Sequence, residues 1–222
     1  MPATTITSTG SSGRRPGRRP VTSRAEIEHI ALDLFTERGF DTTTVDDIAT
    51  AAGIGRRTVF RYYPSKNDIP WGAFDEELDR MRDTFAALPP ELPVLAGVRA
   101  AVLEFNEVHP DEQPWHRRRL RLILDTPALQ AHSTLRYTAW RRVVAEYAAR
   151  RLGFPAEHLV PQTIGHASLG VALAAYERWL REDAGELRQL LDAAFAALEH
   201  GVRSGMSDAA HPATGTFGTS AG

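Results

Sequence analysis

Two closely spaced glycines, Gly53 and Gly55, constrain the first third of this chain more than any other feature. They lie in TTTVDDIATAAGIGRRTVFRYYPSK, residues 42–66. Apolar residues recur at helical spacing on both sides: Val45, Ile48, Ala49 and Ala52 before the glycines, Val59 and Phe60 after them. Two helices this close must turn sharply, and glycine tolerates the left-handed backbone that such a corner needs. Thr44 is placed to cap the first helix. Asp46 and Asp47 fall in its first turn, where the helix dipole favours negative charge. The second helix is expected over 56–62, burying Val59, Phe60 and Tyr63.

A longer helix precedes this pair. Ser23 and Glu26 make a capping box, and Ile27, Ile30, Ala31, Leu34 and Phe35 form one apolar stripe. Gly39 is placed to end it. Three such helices can enclose a small core. With Val59 and Phe60 turned inward, Arg56, Arg57, Thr58 and Arg61 are left outside. Cations crowded on a short helix repel one another, and a polyanion relieves that cost. An arginine can fork onto guanine O6 and N7, and a threonine can reach a base edge or a thymine methyl. Tyr62, Tyr63, Thr44 and Lys66 are better placed for phosphate oxygens, which set register and affinity without reading sequence. Double-stranded DNA is therefore the expected partner; the alternative is a solvated charged face.

Charge supports this placement. The net charge is −2, yet residues 1–68 hold ten Lys and Arg against eight Asp and Glu, and the remainder holds 16 against 20. Arg14, Arg15, Arg18, Arg19 and Arg24 precede any acid. Residues 1–20, rich in Ser, Thr, Gly, Pro and Arg, are expected to be a disordered basic arm suited to phosphate, or else a plain solvated tail. Cysteine is absent, which removes disulfides, thiolate metal sites and thiol nucleophiles. No apolar run is long enough for a bilayer, and the first residues lack a secretory signal, so a cytoplasmic protein without membrane contact is expected.

The segment from Ser23 to Lys66 resembles the DNA-binding domain of the TetR family of bacterial regulators, through GFDTTTVDDIA and AGIGRRTVFRYYPSK. The resemblance implies a helix-turn-helix, with Thr44, Arg56, Arg57, Thr58, Arg61, Tyr62 and Lys66 at positions that often touch DNA. Family members usually carry Ser where Gly55 stands, so one side-chain contact to phosphate is missing here. RRTVFRYYPSKNDIPWGAFD, with Trp71-Gly72 soon after Ser65-Lys66-Asn67, also resembles regulators associated with mycofactocin biosynthesis clusters. That narrower resemblance implies control of genes for this peptide-derived redox cofactor or its dehydrogenases.

The remaining chain reads as all-α. A fourth helix is expected from Ser65 through Phe85, irregular near Pro70, followed by helices over 93–107, 113–124, 127–152, 157–182 and 184–200. The expected organisation is a helix-turn-helix domain over 21–68, a ligand-binding and dimerisation domain over 69–203, and a disordered tail over 204–222. Ala167, Leu169, Gly170, Leu173, Ala174 and Tyr176 make one apolar stripe; Leu187, Leu190, Leu191, Ala194, Phe195 and Leu198 make another. Two such helices from each subunit can form a four-helix homodimer interface, which suits a palindromic operator. Intramolecular core packing must use part of each stripe.

A small-molecule effector can be held between these helices. Phe74, Leu78, Met81, Phe105, Trp115, Arg119, Leu120, Ile123, Tyr137 and Trp140 are the candidate contacts, and their character points to an apolar ligand. Arg117, Arg118, Arg119 and Arg121 can hold phosphates at the mouth of such a pocket, which favours a long-chain acyl-CoA. They can equally be a solvated face paired with Asp111, Glu112 and Asp125, and a free fatty acid or small aromatic is the other ligand choice. A repressor released by its effector is the expected mode, with an activator or a ligand-free architectural DNA binder as alternatives. Enzyme chemistry finds little support. His109, Asp111, Glu112 and His116 are the best cluster, without metal-site spacing, and His166 reads as a core histidine. No metal, cofactor or catalytic residue is expected.

Overall fold

The computed structural model describes residues 23–182 and 185–210. These form nine α-helices and two short 3-10 turns, without a strand among the described residues. The helices are α1 (Arg24–Arg38), α2 (Val45–Ala52), α3 (Arg56–Tyr62), α4 (Phe74–Ala87), α5 (Val94–Phe105), α6 (Gln113–Asp125), α7 (Pro127–Leu152), α8 (Leu159–Arg181) and α9 (Leu187–Ala210). The basic arm lies outside the described residues. Of the tail, 211–222 also lies outside them, whereas 204–210 continues the backbone of α9.

The first three helices close as their caps predict. Ser23 and Glu26 complete a capping box on α1, and Thr44 and Asp47 complete one on α2. Gly53 ends α2 at φ 68°, ψ 30°, and its amide donates to the carbonyls of Ala49 and Thr50. Ile27, Ala31, Phe35, Ile48, Val59 and Tyr63 then share a core with Ile69 and with Leu129 from the start of α7. Phe60 does not join it. Its side chain is 39% exposed, contrary to the expectation that it points inward. One residue along a helix turns about 100°, and with Val59 pointing into the core that step carries Phe60 to the outer side of α3. Tyr63, just past its end, fills the space instead.

The expected fourth helix is two elements. A 3-10 turn, Lys66–Trp71, contains Pro70 and stops at Gly72, whose φ of 54° and ψ of −128° are closed to most side chains. α4 begins only at Phe74. Proline removes the amide that a continuing α-helix would need, and Gly72 redirects the chain. The second core lies among α4, α5, α7, α8 and α9 and includes Met81, Phe85, Val98, Val144, Tyr147 and Phe195. Leu169, Leu187, Leu191 and Phe195 of the two stripes are buried within this chain. Gly170, Ala174, Ala193 and Ala197 are left on the surface of α8 and α9.

The two cores are joined along α1, which is buried on two sides. One face meets α2 and α3. The other meets α6, where Glu28 accepts from Arg119 Nε at 2.7 Å, Asp33 accepts from Arg118 at 2.9 Å, and the His29 ring stacks on Trp115 at 4.3 Å. A second tie runs from the 3-10 turn to α7. Buried Asp68 accepts from Ser65 at 2.7 Å and Arg136 at 2.8 Å, and lies 3.0 Å from His132 Nε2. Burial works against the Asp68 charge, but these hydrogen bonds outweigh it and hold the carboxyl below its usual range.

Candidate functional site

α3 presents its polar face to solvent at the corner of the molecule. Arg56, Arg57 and Arg61 are exposed and Thr58 is half-buried. The three arginines are not equivalent. Arg56 pairs with Asp46 of α2 at 2.9 Å and lies 5.4 Å above the exposed Phe60 ring. Arg61 stacks over Tyr62 at 5.1 Å. Among the described residues neither Arg57 nor Arg61 has a carboxylate partner. These two keep their full donor sets for an external acceptor. Gly55 caps α3 without a side-chain hydrogen bond; the Thr58 amide donates to the Gly55 carbonyl at 2.8 Å, and the Arg56 and Arg57 amides before it are left open.

Two of the expected phosphate contacts serve the fold. The Lys66 ammonium donates to the Phe40 carbonyl at 2.8 Å and the Thr43 carbonyl at 3.1 Å, and lies 4.3 Å from the Phe40 ring centre. It pins the 3-10 turn to the α1–α2 loop and has only one N–H to spare. The Thr44 hydroxyl donates to Asp47 Oδ2 at 2.6 Å and accepts from the Asp47 amide at 3.1 Å. Those Thr44 contacts hold the Asp47 carboxyl below its ordinary value. Tyr62 is half-buried against the first core and carries the Arg61 guanidinium on its ring.

Behind the helix-turn-helix lies a cavity of about 220 Å³. Phe74, Phe105, Leu120, Ile123, Tyr137 and Trp140 of the expected ligand contacts line it, and Arg119 reaches its edge. Leu78, Met81 and Trp115 do not. On α4, Phe74 and Glu77 face the cavity, while Leu78, Met81 and Phe85 turn into the core. On α6, His116, Leu120 and Ile123 share the cavity face. Trp115 and Arg118 share the opposite face, against α1. Spacing of three and four residues separates these faces, but nothing local indicates which face meets which neighbour. Trp71, Glu77, Glu104, Asn106, His116 and Tyr176 are lining residues that sequence reasoning missed.

The expected phosphate cluster is not assembled. Arg117 donates to the carbonyls of Trp179 and Glu182 and lies 4.9 Å over the Trp179 ring. Arg118 holds Asp33, Arg119 holds Glu28, and Arg121 reaches the Leu180 carbonyl at 3.3 Å. The alternative pairing with Asp111, Glu112 and Asp125 is not seen either. Arg118 and Arg119 fasten α6 to α1, and Arg117 and Arg121, four residues apart on another face, fasten it to the end of α8. Glu28 itself is buried. Desolvation pushes its carboxyl above the ordinary value, and the Arg119 charge opposes that rise.

The histidine cluster is kept only in part. Exposed His109 stays beside Asp111, with its Nδ1 3.4 Å from the carboxylate, whereas Glu112 pairs with His29 and His116 turns into the cavity wall. His166 is exposed on α8, its Nδ1 at 2.8 Å from the Gln162 carbonyl oxygen, and is not the core residue expected. Among the described residues no group of His, Asp and Glu could hold a metal, and no helix is long and apolar enough to cross a membrane.

Comparison with known proteins agrees with this geometry. Residues 29–69 match the pattern of bacterial regulatory proteins of the tetR family, and residues 92–203 match the MftR C-terminal domain. MftR of Mycobacterium tuberculosis, a protein assigned to the regulation of mycofactocin biosynthesis, is 45% identical over 188 residues, 85% of this chain and 95% of its own. Among solved structures, the repressor FadR of Thermus thermophilus, bound to lauroyl-CoA, aligns with a TM-score of 0.51 at 21% identity, covering 81% of this chain and 94% of its own. The fatty acid degradation regulator FadR of Bacillus halodurans aligns at 0.55 and 18% identity, covering 81% and 96%.

Proposed function

The chain belongs to the TetR family of transcriptional regulators, in the branch defined by the MftR C-terminal domain, and from that membership we propose that it is a homodimeric repressor released from a palindromic operator by a long-chain acyl-CoA. The observation that carries the DNA reading is the pair Arg57 and Arg61, exposed on α3 without carboxylate partners among the described residues. Like charges held together on a surface helix repel one another, and a polyanion relieves that cost. Arg57, Thr58 and Arg61 read base edges. Arg56 joins them by exchanging Asp46 for DNA, and Tyr62 and the open amides of α3 take phosphate. Identity to MftR supports a role at mycofactocin-related genes.

The cavity supports the effector. Aromatic and aliphatic walls suit an acyl chain, and the Thermus protein of the same fold holds lauroyl-CoA. A ligand-free architectural role would leave this cavity without use. The route to DNA is short. Arg119 edges the cavity and holds Glu28 of α1, and Trp71 of the cavity wall belongs to the turn that carries Lys66 and Asp68. A ligand that displaces either contact repositions the helix-turn-helix. Moving from mostly bound to mostly released takes about 5.5 kcal/mol of differential affinity.

The test is fluorescence anisotropy with labelled promoter fragments from mycofactocin-related genes. The wild-type protein should form a salt-sensitive, sequence-selective complex. The R57A/R61A double variant should weaken it by roughly 100-fold or more, since each bidentate contact is worth about 1–3 kcal/mol. Palmitoyl-CoA or oleoyl-CoA should release the fragment at about micromolar concentration. A double variant that still binds would remove α3 as the reading helix. No release at saturating ligand would remove acyl-CoA as the effector.

A further inference from the structure

Phe60 is the apolar exception on the polar face of α3. Its side chain is 39% exposed, and Arg56, Arg57 and Arg61 around it are exposed as well. At about 100° per residue, the order around the helix axis is Arg56, Phe60, Arg57, Arg61. Val59, turned into the core, lies on the other side. Phe60 and Arg57 therefore stand at the middle of the free face, with Arg56 and Arg61 at its margins. A groove that receives this face receives those two residues deepest. The ring has cover from one neighbour: the Arg56 guanidinium lies 5.4 Å from its centre and also pairs with Asp46 at 2.9 Å.

A phenyl ring has no N–H or O–H to donate and no lone pair to accept with. What it gains in a groove is apolar contact. In the major groove only thymine presents a methyl group, while the edges of the other bases present hydrogen-bonding atoms without one. A ring pressed on an amino or carbonyl group strips its water and returns no bond. Pressed on a methyl group, it buries apolar surface on both partners. We infer that Phe60 is a specificity-determining residue of α3, selecting a thymine in each half-site through contact with its 5-methyl group. This rests on the DNA reading above and extends it to a residue that has no hydrogen bond to offer. Thr58 also carries a methyl group, but it is half-buried, beyond Arg61 in the order around the helix.

The experiment selects duplexes bound by the full-length protein from a random-sequence pool. Each thymine of the tightest duplex is then replaced by deoxyuridine, in both half-sites at once, which keeps the pairing and removes only the 5-methyl group. For the wild type, one such position should weaken binding about fourfold per half-site, the worth of one buried methyl group. Changing that A·T pair to G·C should weaken it roughly tenfold. Phe60→Ala should bind the thymine duplex more weakly and lose the response to deoxyuridine at that position alone, with the responses at other thymines as in the wild type. Phe60→Leu, which restores an apolar side chain, should regain part of the response. The wild-type scan depends on no variant: indifference to every methyl group overturns the assignment. Deoxyuridine responses that are the same in wild type and Phe60→Ala at every position overturn it too, and either result leaves the DNA reading standing. If no sequence is enriched from the pool, both readings fail.

Discussion

Glu28 and Arg119 show how much one pair can carry. Glu28 is buried in α1 and has the α6 guanidinium as its charge partner. Removing only the cation leaves an uncompensated charge in the interior. Arg119→Met should therefore destabilise the fold by about 3–5 kcal/mol, with the Glu28→Leu, Arg119→Met double variant recovering most of it. Urea midpoints of the three proteins decide the matter. His116 sets a pH dependence. Its pKa is about 4 in the fold against 6.5 for a free histidine. Between those values the unfolded chain takes up the proton and the folded chain does not. Stability is therefore fully present above pH 6.5 and falls as the pH drops towards 4, by on the order of 3 kcal/mol. Urea unfolding at pH 7 and pH 5 should show the loss, and His116→Gln should show less of it.

Among the elements, the turn between the 3-10 segment and α4 is the point of least freedom. Gly72 holds a positive φ, and a methyl group added there would come within 2.6 Å of Glu28 Oε2. Glu28 cannot swing away without breaking its bond to Arg119. Gly72→Ala should cost about 1–3 kcal/mol and weaken operator binding beyond that stability loss, because the same turn carries Lys66. Thermal unfolding beside operator titration separates these effects; binding unchanged after correction for the folded fraction would detach Gly72 from DNA positioning. α3 holds a smaller lesson. The burial of Val59 and Tyr63 was legible, but only the packed structure reveals Phe60 turned outward beneath Arg56.

At the scale of the whole molecule, α8 and α9 turn a ridge of small residues outward. Gly170 and Ala174 on one and Ala193 and Ala197 on the other are exposed, and a methyl group on Gly170 would meet nothing within 4 Å. Small residues let helices approach closely, as a four-helix interface between two subunits requires. If the proposed dimer forms through this ridge, Ala174→Glu should yield a helical monomer and lower operator affinity at least tenfold, since each half-site would then be held alone. Sedimentation and circular dichroism read mass and helicity. A variant that stays dimeric would move the interface elsewhere.

The sequence by itself determined the helices other than the start of α4, the caps of α1 and α2, the corner at Gly53 and the arginine-bearing face of α3. All of these depend on local spacing and on groups a few residues apart. It also made α6 recognisable as an arginine-rich helix. Only the tertiary structure decided what those arginines do. Arg118 and Arg119 meet carboxylates of α1, more than eighty positions earlier in the chain. His116, an unremarkable residue beside them, becomes a ring in the cavity wall whose two nitrogens are shut off from solvent. Periodicity fixes which residues share a face. The partner of that face is set by how distant helices pack, and that information is spread over the whole chain.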